Sequence, residues 1–202
     1  ETLAFFLKKN YLISFSKKSY NNKLGVLVSL LNLNLKSSYA IFELGTNNFG
    51  EIKNLTNIVK PQEIFITNIQ STHLENFKNK KNIAKEKSDI FVSKYNNYAS
   101  KLYLNVNNEF EKIILNKANK EKNLKIIKIG NSSRKYYLKK IISNNKNYKV
   151  NLIINGKNLK LDLKTIVNTR LNNLLFCYAF FAENFLRINT ITKTLNNLKP
   201  VL

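Results

Sequence analysis

The chain has 202 residues, 44% of them apolar, and its 34 Lys+Arg against 12 Asp+Glu give a formal charge of +22. That length fits one domain, and the apolar share is enough for a core. The single cysteine, Cys177, excludes an internal disulfide framework. The apolar run around it, Leu174 to Phe181, is too short and too closely flanked by Asn172, Asn173 and Glu183 to span a bilayer.

In chain order the pattern alternates strand and helix. Helices are predicted at 2–9, 25–33, 50–59, 81–95, 109–120, 171–186 and 190–198, and strands at 11–15, 38–43, 63–67, 101–105 and 124–129. Residues 135–165 differ. Tyr148 to Ile154 and Lys157 to Leu163 alternate on either side of Asn155-Gly156, the strongest short hairpin signal, which predicts a small antiparallel subsheet. No internal repeat and no Pro/Gly-rich linker interrupts the chain. The fold expected is α/β, a mostly parallel sheet flanked by helices with that subsheet added.

The charge does not gather on one stripe; lysines are scattered over every segment. Asn is also extreme, about one residue in six. Joint enrichment of Lys, Asn and Ile is what AT-rich codons impose, so the charge reads as drift on solvated faces that incidentally favours anionic nucleotides.

Three segments carry chemistry. Tyr39-Ala40-Ile41-Phe42 delivers Glu43 into a turn closed by Gly45, and Gly50 opens the next helical pattern. Ligands of open α/β sheets bind beyond the carboxyl ends of strands, so Glu43 is either a metal or substrate contact or a strand-end acid facing water. Ile64-Phe65-Ile66 is a second short strand, ending in Thr67-Asn68, and the only histidine, His73, follows it. A lone His is more often structural, but this one shares with Glu43 a place just past a strand end. In the third segment Ile83, Ala84, Ile90 and Phe91 mark one helix face. Lys87 falls on that face, with Lys85 opposite and Glu86 and Asp89 off the stripe. An inward Lys is costly unless paired or altered, or else it snorkels to water.

These segments resemble the ATP-binding central domain of the Mur ligases, in particular the branch that adds D-alanyl-D-alanine. Glu43-Leu44-Gly45, Asn47, Gly50-Glu51-Ile52, Thr67-Asn68-Ile69, His73-Leu74-Glu75, Phe77, Ile83-Ala84, Lys87 and Ile90-Phe91 follow that pattern in order and spacing. Tyr20-Asn21-Asn22, followed by Gly25-Val26, is similar to an upstream turn of the family, and Asn173 resembles the Asn opening its last long helix. The chain departs from the pattern at Ser19, Leu27, Lys78, Asn107 and Thr169, where Asn, Pro, Gly, Asp and His are usual. The family's phosphate loop, G-K-[ST]-[ST]-x-K, is absent, and Glu1 to Phe6 resembles the helix that follows it. The resemblance therefore implies that residues 1–202 are a central domain beginning just after that loop. The amino-terminal substrate domain and the carboxyl-terminal domain would lie outside it.

The resemblance further implies ATP-dependent amide formation in the cytoplasm, with ATP and Mg²⁺ as cofactors. UDP-N-acetylmuramoyl-tripeptide and D-alanyl-D-alanine would be the substrates of a monomeric enzyme with no nucleic-acid or membrane partner. Glu43 and His73 would hold Mg²⁺ together with Lys87, carbamylated by CO₂. Asn173 would sit near the adenine, and Asn21, Asn22 and Asn68 would line the nucleotide path. These residues are expected at one edge of the sheet. A sister amide ligase, tripeptide-forming or folylpolyglutamate-forming, is the alternative. From another class there is a basic nucleic-acid-binding protein, for which a clustered basic face would be needed.

Overall fold

The computed structural model describes residues 1–17, 19–70, 74–131, 133–144, 147–163 and 168–195. They form eight helices and eight strands, divided between two compact units.

The first unit comprises Glu1–Lys9, Tyr103–Asn107 and Ile127–Leu202. Its centre is α7 (Asn168–Glu183), in which every residue from Leu174 to Phe181 is buried. A helix apolar all round must be covered all round. α1 (Thr2–Leu7) and α8 (Asn189–Thr194) pack on it, and so does an antiparallel sheet of β6 (Tyr136–Asn144), β7 (Asn147–Ile154) and β8 (Lys157–Leu163). Val150, Leu152 and Leu161 of that sheet are buried. Asn155 and Gly156 have φ of 51° and 78°, so the β7–β8 turn takes two left-handed residues, as a tight hairpin demands. The Tyr136 hydroxyl donates to Glu183 Oε1 at 2.7 Å, and the Asn184 amide donates to the Tyr103 hydroxyl at 3.2 Å. The buried phenols thereby keep their polar tips satisfied.

The second unit comprises Asn10–Leu102 and Asn108–Ile126. β1 (Ile13–Phe15) and β2 (Tyr39–Ile41) pair in parallel, joined through α2 (Lys23–Leu31). α3 (Glu51–Val59) leads to β3 (Glu63–Ile66). The short α4 (Leu74–Phe77), α5 (Lys80–Lys87) and a 3₁₀ turn (Ser88–Phe91) follow. Another sheet has the order β3-β4-β5, with β4 at Lys101–Asn105, α6 at Glu111–Ala118 and β5 at Lys125–Ile129. The helical crossovers are the connection parallel neighbours need. α5 packs against α3 and α6, burying Ile83 and Ala84, while Ile52, Leu55 and Ile114 are buried on its neighbours.

The helix predicted over 81–95 stops at Lys87. The Ser88 hydroxyl bonds back to the Ala84 carbonyl at 2.6 Å, and the chain tightens into the 3₁₀ turn. The Asn96 amide then fixes the exit, donating to the carbonyls of Pro61 at 2.8 Å and Ile90 at 3.3 Å.

Candidate functional site

Glu43 leaves the sheet at the carboxyl end of β2. The Ser16 N–H donates to the Ile41 carbonyl at 2.9 Å, and the Glu43 N–H donates to Ser16 Oγ at 3.2 Å. The serine hydroxyl thus carries the parallel ladder past its last backbone pair. The Glu43 side chain is exposed, and its Oε1 accepts the Asn21 amide at 3.1 Å. Asn21 is held in turn, since its carbonyl takes the Gly45 N–H at 2.8 Å. A Cβ on Gly45 would lie 2.9 Å from Asn21 Cγ. Gly45 is therefore a glycine for space, because its Cα seats the amide that steadies Glu43.

Two carboxylates wire the turn that follows. Glu51 accepts the N–H groups of Asn47 at 2.7 Å and Asn48 at 3.2 Å, and the Asn48 amide at 3.1 Å. Burial alone would raise its pKa, but these donors outweigh burial and hold it below the usual carboxylate value. Phe49 meets Phe77 edge-on at 5.0 Å, and the Asn76 amide donates to the Asn47 carbonyl at 2.9 Å. Gly50, at φ 84°, opens α3 and has no side chain with which to cap it. The cap comes from Glu86, whose two oxygens take the N–H groups of Gly50 and Ile52, each at 2.9 Å. Glu86 is only 4% exposed. The sequence places it off the buried stripe, and the structure corrects this. Its partners are more than thirty residues distant, beyond the reach of helical periodicity. The usable signal was a helix starting at Gly50 without a Ser, Thr, Asp or Asn cap.

Lys87 is the last residue of α5 and is half-buried. Its ammonium donates to the Asn68 carbonyl at 3.5 Å. Burial lowers its pKa, and the Glu43 carboxylate pulls in the opposite direction. The exposed Asn68 thus contributes a backbone oxygen just past β3. Lys85 is exposed, and its carbonyl accepts the Lys117 ammonium at 3.3 Å. Lys117 also pairs with Asp89, which ties the end of α5 and the 3₁₀ turn to α6.

The remaining candidates fall elsewhere. Asn22 is the N-cap of α2, with its Oδ1 accepting the Gly25 N–H at 2.9 Å. A helix end that needs a cap thus explains it locally. Asn173 belongs to the first unit and is exposed on α7. Asn107 accepts the Asn131 N–H at 2.7 Å and fills the space beside Gly130. His73 and the Thr169 side chain lie outside the described residues. Within the second unit, Glu43, Asn21, Asn68 and Lys87 come together beyond the ends of β2 and β3.

Residues 2–181 match the model of the Mur ligase middle domain. The UDP-N-acetylmuramoyl-tripeptide–D-alanyl-D-alanine ligase of Rickettsia prowazekii is 41% identical over 91 residues, covering 45% of this chain and 20% of that protein. The ligase of the same name from Buchnera aphidicola (subspecies Acyrthosiphon pisum) is 38% identical, over the same shares. Among solved structures, MurF from Acinetobacter baumannii superposes with a TM-score of 0.86 at 22% identity, over 99% of this chain and 43% of that one. MurF from Thermotoga maritima in complex with ADP gives 0.84 at 17% identity, over 100% of this chain and 45% of that one. The chain spans under half the length of these solved relatives and matches about a fifth of the curated ones. With a family model covering all but its first residue and its last 21, the chain belongs to the Mur ligase middle-domain family.

Proposed function

We propose that this chain is the middle domain of an ATP-dependent, ADP-forming amide ligase. The parent enzyme would join D-alanyl-D-alanine to UDP-N-acetylmuramoyl-tripeptide, in the cytoplasm, during peptidoglycan precursor synthesis. One observation carries the reading. An exposed carboxylate, Glu43, and a half-buried amine, Lys87, meet beyond the strand ends, where α/β sheets take their ligands. Similarity to ligases of that name, and to a MurF that binds ADP, supports it.

The chemistry expected is transfer of the ATP γ-phosphoryl group to the tripeptide's terminal carboxylate, giving an acyl phosphate and ADP. The dipeptide amine then attacks the acyl carbon, and the tetrahedral intermediate expels phosphate. Such reactions depend on positioning and on neutralising phosphoryl charge. The donor set fits a hard divalent cation on two counts. Glu43 offers an oxygen ligand held in place by Asn21, and the partly desolvated Lys87 amine suits capture of CO₂. Capture forms an N–C bond with loss of a proton and turns a cation into a carboxylate. His73 would complete the set. Mg²⁺, when bound, would supply the positive charge that phosphoryl transfer requires. Residues 1–202 contain no G-K-[ST]-[ST]-x-K run. The phosphate cradle is therefore assigned to the parent chain ahead of Glu1, and residues 1–202 alone should be inactive.

The test is a coupled ADP-release assay on the full-length parent. Turnover should require the muramoyl-tripeptide and D-alanyl-D-alanine together. Turnover with a folate and glutamate, or with the muramoyl-dipeptide and a single amino acid, would replace this reading with a sister ligase.

A further inference from the structure

Among the described residues Glu86 is the acid that is buried, at 4% exposure. A carboxylate out of water is costly unless its oxygens are satisfied. Both oxygens of Glu86 are satisfied, one by the Gly50 N–H and the other by the Ile52 N–H. Both donors belong to the start of α3, where the helix dipole favours an anion. The placement of this acid in the chain is what matters. Its neighbour in sequence is Lys87, whose amine reaches the Asn68 carbonyl. On the other side of Gly50 the chain runs back through Asn48, Asn47 and Gly45 to Glu43, whose carboxylate acts on Lys87. One side chain on α5 therefore grips the turn that carries the acid, one residue from the amine that meets it. Glu51 and Asn21 order the turn from within and from α2, but neither touches α5.

We propose that Glu86 is the positioning residue of the Glu43–Lys87 site. Its carboxylate clamps the first turn of α3 to the last turn of α5 and so fixes where the Lys87 amine lies relative to Asn68 and Glu43. The functional meaning of this clamp rests on the ligase reading. Its geometry does not.

The experiment uses the 202-residue chain, isotope-labelled, as wild type and as Glu86→Gln and Glu86→Ala. Glutamine keeps the volume and one acceptor, but turns an NH₂ group toward a backbone N–H. Hydrogen exchange of the Gly50 and Ile52 amides should quicken by about tenfold or more in Glu86→Gln, the scale of one hydrogen bond to a charged group. In the same variant the nuclear Overhauser contacts between the Lys87 side chain and Asn68 should fall by more than half, with the Lys85 signals unmoved. If Glu86→Ala does not fold, Glu86→Gln decides alone. Faster exchange with the Lys87–Asn68 contacts intact would reduce Glu86 to a helix cap and overturn the proposal, and so would unchanged exchange. No nucleotide, cation or turnover enters the measurement. The ligase reading can therefore fail in its own assay without touching this result.

Discussion

The Asn21 side-chain amide reaches across 22 residues of sequence to donate to Glu43 Oε1 at 3.1 Å, and it rests on the bare Cα of Gly45. Asparagine, acid and glycine therefore act as one unit. The other glycine of this region, Gly25, is bound more tightly still. A Cβ there would lie 2.5 Å from Tyr20 Cα. The two glycines should respond differently to the same substitution. Gly45→Ala meets a side chain that can swing away, whereas Gly25→Ala meets backbone. Gly25→Ala should cost about 2–3 kcal/mol or more and Gly45→Ala about 1 kcal/mol, within the range for overpacked sites. Urea midpoints measured on both variants decide. Equal midpoints would mean that Tyr20 yields as easily as Asn21.

The two lysines of α5 should separate in the parent enzyme. Lys87→Ala removes the amine beside Glu43 and should lower turnover by about 100-fold, the scale seen when the support of a metal site is lost. Lys85→Ala, exposed on the helix, should leave turnover nearly intact. Formate or acetate should partly restore Lys87→Ala by occupying the vacated carboxylate position. Loss without such rescue would keep Lys87 important and discard its carbamate.

Titration calorimetry of residues 1–202 with Mg-ATP should give no micromolar binding, that is, nothing near −8 kcal/mol. Heat consistent with micromolar affinity would mean that these residues hold the triphosphate without a G-K-[ST]-[ST]-x-K loop.

Alkaline pH should unfold the chain through Cys177. Burial inside α7 pushes its thiol up to about 12 from an ordinary value of 9. With the folded value raised, the stabilisation is complete below pH 9, where both states hold the proton. It is lost between pH 9 and 12 as the unfolded chain gives up its proton first. The slope from this one group approaches about 1.4 kcal/mol per pH unit. The Tyr178 phenol, also raised to about 12 by burial, adds to the loss above pH 10. Cys177→Ala should flatten the pH 9–10 part of the stability curve while lowering it overall through the lost packing. An unchanged slope would exonerate the thiol.

Local chemistry was the legible part of this chain. β4 falls at 101–105 as the apolar pattern predicts, and the Asn155-Gly156 hairpin forms where its dipeptide sits. Asn22 could have been read the same way. An Asn three residues before Gly25, at the start of an apolar helix, is a cap by its own neighbourhood, but similarity drew it toward a ligand. The end of α5 was not legible, because Ser88, Lys117 and Asn96 stop the helix through tertiary bonds that periodicity does not see. Glu86 escaped for a related reason. Its amphipathic position says surface, and only the uncapped start of α3, distant in sequence, required it inside.

α2 presents Leu24 at 72% and Leu31 at 87% exposure, and Leu35 beyond it at 91%. Set against the charge of +22, this stripe makes the chain's colloidal behaviour a contest between self-repulsion and stickiness. Repulsion weakens once the screening length falls to a few ångströms, whereas leucine contacts do not weaken with salt. Dilute buffer is therefore the condition that keeps molecules of this chain apart. The concentrated salt commonly used to strip nucleic acid from a basic protein is the condition that would bring their leucines together.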